Sequence, residues 1–515
     1  MVLTIPQAWR LLTRSFMTPQ STKSLLAYTP MLHARMFNET SKFRDNHFQP
    51  LRLPLSFHPT ISYKPEDLFL DGNPSFDRPL TVQFCANDPE EFLNAAKYVA
   101  PFCDAVDLNL GCPQGIARKG KYGAFLQEDQ DLVYNLINKL HKELSVPVTA
   151  KIRILDTKEK TLAYAKKVLD AGASILTVHG RQREQKGHNT GLADWKVIRF
   201  LRESLGEEVV LFANGNILQR GDIERCIEET GVDGVMSAEG NLYDPAIFAE
   251  APQVGEEGRE YWRGRDGKGG WRMDAVFRRY MDIIYKYVLE VPVPERKPLY
   301  LLSDQEMVVE VKEGGETEED GPPKKKQKKE KKEKATSPNL LAMQAHSFHL
   351  LRALVSKHHN VRDALARCRA GDIAAYENVL QMVEEAVKGG LKEYEETDER
   401  SWEEELAQDE RLKEVKKDDV VEANGMVEED HEGEKDERYE SSLETVRKCK
   451  RPWWVVQPYV RPLPKEALAK GSMTLSKKDK AKLEKEAGVP SGHLEVEKSG
   501  RGKPVEISDE GLVCG

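Results

Sequence analysis

The sequence predicts an α/β protein: a parallel TIM (β/α)8-type barrel lacking its first strand, followed by an all-α domain and disordered charged segments. Three observations lead there. Over residues 25–240, apolar runs of strand length alternate with helical stretches, the pattern of parallel strands joined by crossover connections. After Gly240 the apolar spacing turns helical. Charged residues make up 32% and aromatics 8% of the 515 residues, against ~25% charged in an average globular chain, so part of the chain has no core to join. The boundaries read as 1–250 for the barrel and 270–391 for the helical domain, with a disordered basic insert at 305–338. Residues 392–515 read as a mostly disordered acidic and charged tail.

The first element is a helix over 6–16: Pro6 suits a first turn, and Trp9, Leu12 and Phe16 share one face. Strands follow at 25–28, 80–86, 105–111, 146–154, 175–180, 209–215 and 234–240, with helices at 89–100, 129–144, 158–171 and 195–205 between them. That makes seven strands where a barrel of this class closes with eight, so the chain reads as starting one strand late. A second reading of the start competes. The first 38 residues hold no Asp or Glu yet include Arg10 and Arg14, as a mitochondrial presequence would; the barrel-helix reading is the stronger. Helices over 272–289, 339–357, 361–369 and 373–388 make the all-α domain. Residues 264–270 read as a loop, and 451–464, carrying Trp453, Trp454, Val455, Val456 and Tyr459, as an apolar latch.

Charge and cysteine usage narrow the class. No run approaches the ~18 apolar residues of a membrane span, so no membrane partner is expected. The net charge of −9 is uneven: residues 391–440 hold 22 Asp and Glu against 8 Lys and Arg, which leaves a slightly basic body suited to an anionic partner. Seven cysteines without a Cys-x-x-Cys pair exclude a zinc knuckle and point to a reducing compartment. No metal site is expected, and the chain reads as a monomer.

Chemistry in such a barrel sits at the carboxyl ends of the strands. Polar side chains inside strands covered on both faces are costly unless a site uses them. Those ends carry Gln83 and Asn87; Asn109, Gly111 and Cys112; Lys151 and Arg153; His179 and Arg181; Asn214 and Asn216; Ser237 and Glu239. In 146–154, period-two alternation sends Val148, Ala150 and Ile152 toward the helices and Thr149, Lys151 and Arg153 into the barrel. Two inward cations require an anion or an electron-rich ligand; a salt bridge to Asp107 or Glu239 is the structural alternative.

Five segments, Val82-Gln-Phe-Cys-Ala-Asn-Asp, Asp107-Leu-Asn-Leu-Gly-Cys-Pro-Gln, Thr149-Ala-Lys-Ile-Arg, Thr177-Val-His-Gly-Arg and Phe212-Ala-Asn-Gly-Asn, strongly resemble the tRNA-dihydrouridine synthases. Ser237-Ala-Glu-Gly-Asn and Tyr28-Thr-Pro-Met-Leu-His-Ala are similar to the eukaryotic branch acting on D-loop positions 16 and 17. The resemblance implies an FMN-binding barrel that reduces the C5=C6 bond of tRNA uridines, with NAD(P)H as reductant. It implies that Gln83, Lys151 and His179 bind the isoalloxazine, and that Asn214, Gly215, Asn216, Ala238 and Glu239 hold the ribityl phosphate. Asn109 would orient the flipped uracil, with Arg153 as a second substrate-binding residue, and Cys112 would be the general acid. A thiol with an ordinary pKa near ~8.5 suits that role, being mostly protonated at neutral pH. The family's Ala-Pro-Met turn after the first strand has no counterpart here, and Ala238-Glu239 stands where many members have Gly-Arg.

The helical domain adds Arg278, Arg279, Lys286, Arg352, Lys357, His358, His359, Arg362, Arg367 and Arg369, either a solvated face or a grip for tRNA phosphates. No G-x-G-x-x-G follows a strand, so NAD(P)H is expected to bind transiently at the same mouth. Two other functions stay open: a catalytically impaired RNA-binding remnant, or a flavin-dependent reductase of free pyrimidines. Lys324–Lys329 reads as a nuclear import signal or as a solvated linker. Nucleus and cytoplasm are the expected compartments, ahead of mitochondria.

Overall fold

The computed structural model of the protein describes residues 6–52, 63–187, 190–265, 267–304, 337–402, 404 and 451–458. It divides into two compact units, one built on Met1–Glu250 and one on Ala251–His431 with Arg451–Gln457. The basic insert and most of the tail expected from the sequence lie outside the described residues.

In the first unit, helix α1 (Gln7–Arg14) is buried along its whole length. Arg10 pins it, donating to both carboxylate oxygens of Asp77 at 2.9 and 2.6 Å and to Asp71 at 2.7 Å. The strands are all parallel. β1 (Ala27–Tyr28) and β2 (Leu32–His33) both pair with β3 (Leu80–Cys85). β4 (Ala105–Leu110), β5 (Val148–Arg153), β6 (Leu176–His179), β7 (Leu211–Asn214) and β8 (Gly234–Met236) follow in sheet order. β1 and β2 are two halves of one strand, interrupted at Pro30, which has no N–H to give the ladder. The sheet therefore has the seven strand positions read from the sequence. Among the described residues β1 and β8 are each paired along one edge only, so the sheet is an open one of the barrel type.

Strand alternation decides what each face carries. Val82, Phe84, Leu108, Leu110, Ala150 and Ile152 join the helix-facing core. Thr81, Gln83, Asp107, Asn109, Thr149, Lys151 and Arg153 are equally buried but take the intervening positions, inside the curl of the sheet. Side-chain caps fix where strand gives way to helix. Asp88 accepts from the Glu91 N–H before α2 (Pro89–Val99). After the short α3 (Gly115–Gly120), Asp129 accepts from Leu132 before α4 (Gln130–Glu143). Thr157 accepts from Lys160 before α5 (Lys158–Asp170), and Asp194 from Val197 before α6 (Trp195–Leu205). α7 (Arg220–Thr230) and α8 (Glu239–Tyr243) end this unit's helices.

The second unit is not purely helical. β9 (Tyr261–Arg263) and β10 (Gly269–Trp271) form an antiparallel hairpin where the sequence suggested a loop. Two glycines weaken its strand signal, yet a Cβ on Gly269 would stand 2.3 Å from the Trp262 carbonyl oxygen, so close packing requires one of them. α9 (Met273–Ile283) continues as a π-helical turn to Leu289. The helix expected over 339–357 is two, α10 (Pro338–Leu350) and α11 (Arg352–Lys357), followed by α12 (His359–Arg367). α13 (Ile373–Glu396) runs beyond the expected end at 388, through Gly389 and Gly390. A Cβ on Gly390 would stand 2.6 Å from the Trp453 ring, so this glycine makes room for the indoles. The 451–457 segment does act as a latch: Val456 N–H donates to the Trp271 carbonyl, the Trp454 carbonyl accepts from Met273, and residues 453–456 are buried. Tyr459 lies outside the described residues.

Candidate active site

A buried polar seam crosses β3, β4 and β5. Thr149 Oγ1 donates to Asp107 Oδ1 at 2.7 Å, and Gln83 Nε2 donates to Asp107 Oδ2 at 2.9 Å. Gln83 Oε1 then accepts from Asn109 Nδ2 at 2.9 Å. Asn109 Oδ1 in turn accepts the backbone N–H groups of Gly111 and Cys112, at 3.0 and 2.9 Å. The direction of this chain is forced. An ionised carboxylate only accepts, so Asp107 turns the Gln83 NH2 toward itself, and every later amide follows suit. Burial pushes the Asp107 carboxyl up to about 6, against the opposing pull of Thr149, Gln83 and the Lys151 charge. The sequence reading named Asp107 only as an ion-pair partner and gave Thr149 no role; the signal was present, since both occupy inward strand positions.

The seam ends on the Cys112 loop, which is held from every side. Arg153 donates to the Gly111 carbonyl at 2.7 Å and to the Gln182 and Gln185 carbonyls at 3.1 and 3.4 Å. Lys186 donates to the Pro113 carbonyl at 2.8 Å, and Ala124 N–H to that of Cys112 at 3.1 Å. Gly123, at φ +65°, lies so close that a Cβ there would meet the Cys112 oxygen at 2.8 Å. The Cys112 side chain forms no disulfide among the described residues and is fully buried, packed with Cys85, Ala117 and Tyr122. Expected as substrate-binding groups, Asn109 and Arg153 direct these bonds at the loop that carries the thiol.

A second cluster lies at the ends of β6, β7 and β8. The Arg181 guanidinium sits 3.1 Å from His179 Nε2 and donates to Asn216 Oδ1 at 2.8 Å. Burial, with Arg153, Lys151 and Arg181 around it, holds the His179 imidazole well below its ordinary pKa, so it is neutral. Arginine can only donate, which makes Nε2 the acceptor and puts the ring proton on Nδ1. Among the described residues that Nδ1–H is buried with no partner, as is Asn214 Oδ1. Gly215 and Asn216 take successive positive φ angles of 105° and 62°. A Cβ on Gly215 would stand 2.6 Å from the Ala193 Cβ and 3.0 Å from the His179 ring, so only glycine fits. Ser237 Oγ bonds the Ile217 carbonyl, which brings the Ala238-Glu239 turn beside the same loop.

This donor set fits a flavin mononucleotide. An unspent N–H on His179 and an unspent oxygen on Asn214 are costly when buried and suit an edge of alternating donors and acceptors. Lys151 supplies positive charge, and the left-handed Gly215-Asn216 turn closes the strand end beside it. Gln83, Ala238 and Glu239 complete the set.

In the second unit, several cations expected on an RNA-gripping face serve the fold instead. Arg278 pairs with Glu384 at 2.7 Å and Arg279 with Glu260, while Lys357 and His358 pack on the Trp453 ring. Arg352, Arg362 and Arg369 remain exposed.

A parallel barrel-type sheet with a buried thiol, a cation and a neutral imidazole at one mouth has the arrangement of a barrel enzyme. The match to known proteins makes this specific. The family described as "Dihydrouridine synthase (Dus)" matches residues 1–287, and the chain belongs to that family, an oxidoreductase family. It is 40% identical to the tRNA-dihydrouridine(16/17) synthase of Schizosaccharomyces pombe over 88% of this chain and 85% of that protein. It is 53% identical to the Saccharomyces cerevisiae protein of the same description over 54% of this chain, and 49% identical to a Rattus norvegicus protein described as like it over 49%. These last two matches span 57% and 52% of the relatives' own lengths.

Proposed function

We propose that this protein reduces the C5=C6 bond of uridines 16 and 17 in the tRNA D-loop, with FMN as cofactor and NAD(P)H as reductant. The observation that carries the reading is the seam from Asp107 to Cys112, which spends four buried polar side chains on holding one thiol still. A cysteine that merely filled the core would not need it.

The chemistry that FMN would supply here, when bound, is a hydride for uracil C6. The chain's own residues do the rest. Gln83, Lys151 and His179 would hold the flavin ring, His179 offering its Nδ1–H and Lys151 its positive charge. Asn214, Gly215, Asn216, Ala238 and Glu239 would hold the phosphate end. Cys112 Sγ gives its proton to C5, and Asn109 with Arg153 keeps the thiol at the mouth and the uracil in reach of it. NAD(P)H uses the same mouth. The test is to incubate the intact protein with FMN, NADPH and a tRNA transcript, and to map dihydrouridine by nucleotide. Product at 16 and 17 is expected; product from free uracil alone, or none, refutes the proposal.

The Lys324–Lys329 run, outside the described residues, we propose as a nuclear import signal. A fluorescent fusion lacking residues 321–334 should leave the nucleus; an unchanged distribution makes the run a linker.

A further inference from the structure

We infer that α3, the short helix three residues beyond Cys112, is a phosphate grip. On this view Arg118, Lys119 and Lys121 hold the tRNA backbone on either side of the uridine being reduced. The inference rests on the proposed tRNA substrate and assigns a surface to it.

Three observations lead there. First, charge: from Leu108 to Gln127 the chain contains Arg118, Lys119 and Lys121 and no acid. Elsewhere on this unit surface cations are commonly paired, as Arg78 is with Asp104, Lys139 with Glu90, Lys167 with Asp131 and Arg199 with Glu203. The three on α3 are exposed, and among the described residues they bond to no carboxylate. Three like charges within four positions repel one another, a cost that an arriving polyanion removes.

Second, position: α3 does not float. Ala117 is fully buried against Cys112 and Tyr122, and Asn87 Nδ2 donates to the Gly120 carbonyl at 2.9 Å, closing the helix's last turn. Lys121 itself takes a left-handed φ of 52° at the C-cap, which turns the chain back into the mouth. The cations are thus held in fixed register with the thiol.

Third, need: Cys112 is wholly buried, so a uracil must leave the RNA stack to reach it. Extruding a base costs a few kcal/mol and is driven by holding the backbone that flanks it. Ile116, on the same helix, is 65% exposed, an apolar side chain left at the surface beside these cations.

The test uses the full-length protein carrying Arg118→Gln, Lys119→Gln and Lys121→Gln together, against a charge-matched control with Lys142, Lys158 and Lys166 on α4 and α5 changed to Gln. Binding to a tRNA transcript is measured over a salt series, alongside KM and the rate of flavin reduction by NADPH. Each single-strand phosphate contact contributes about 0.7 to the slope of log affinity against log salt, so the triple variant should lose about 2 from its slope. KM for tRNA should rise about tenfold with flavin reduction unchanged, and the control should stay within twofold of the parent. A parental slope and KM in the triple variant refute the grip, as does an equal loss in the control. If the parent binds tRNA through these residues but makes no dihydrouridine, the grip stands and the proposed reaction falls.

Discussion

Replacing Asp107 by Asn is expected to stabilise the protein at neutral pH, and by an amount that grows with pH. The carboxyl is fully buried, and burial lifts it from 3.8 to about 6. A raised folded-state pKa means the folded protein holds the proton more tightly than the unfolded chain. The contribution to stability is therefore fully present below pH 3.8 and is lost as pH rises through about 6. The full shift corresponds to about 3 kcal/mol, of which about 2 kcal/mol falls between pH 4.5 and 7.5. Asparagine keeps the shape and the seam: its carbonyl accepts from Gln83, and its NH2 donates to Thr149, whose hydroxyl can serve either way. It has no charge to bury. Asp107→Leu instead leaves the Gln83 amide and the Thr149 hydroxyl unpaired, at about 1–3 kcal/mol each at any pH. The assay is urea unfolding followed by circular dichroism at pH 4.5 and 7.5. The gap between Asp107→Asn and parent should widen by about 2 kcal/mol toward pH 7.5, while Asp107→Leu is less stable than Asp107→Asn at both. An equal gap at the two pH values would refute the account of a strained buried charge.

Cys112→Ala should abolish dihydrouridine formation while flavin binding and its reduction by NAD(P)H stay near parental, because only proton delivery is lost; equal product from the variant refutes the assignment. Gly215→Ala should cut bound FMN per chain several-fold, measured by absorbance, since its Cβ would press on both the Ala193 Cβ and the His179 ring. Arg10→Met removes the only cation bonded to both Asp71 and Asp77 among the described residues, and should cost about 3–5 kcal/mol in the same unfolding assay. Trp454→Ala should cost about 3–5 kcal/mol in the second unit, read as a lowered melting temperature.

Much of this molecule is legible in its sequence because strands and helices announce themselves by period. The seven strand positions, the helices after β3 to β6 and the inward turn of Lys151 and Arg153 follow from alternation over a few residues, a local property. The capping residues Asp88, Asp129, Thr157 and Asp194 are equally local, and they fix where the mouth begins. The family's segments place Cys112, His179 and Asn214 at that mouth for the same reason: each sits at a strand end readable on its own.

What the sequence leaves undecided depends on residues far apart in the chain. That Asn109 points its carbonyl at the Cys112 loop is settled by Asp107 through Gln83, and the thread from Thr149 joins three strands. Hydrogen-bond direction belongs to the network and to no single residue. Arg153 was readable as an inward cation, but its carbonyl partners come from loops 42 and about 30 positions away. The proton on His179 Nδ1 depends on where Arg181 folds back. Helix α13 outruns its two glycines because an indole some 60 residues later packs on one of them. Period and capping are fixed within a turn of chain, whereas the direction of a hydrogen bond and the fate of a charge are fixed by whatever the fold brings within 3 Å, which only the tertiary structure decides.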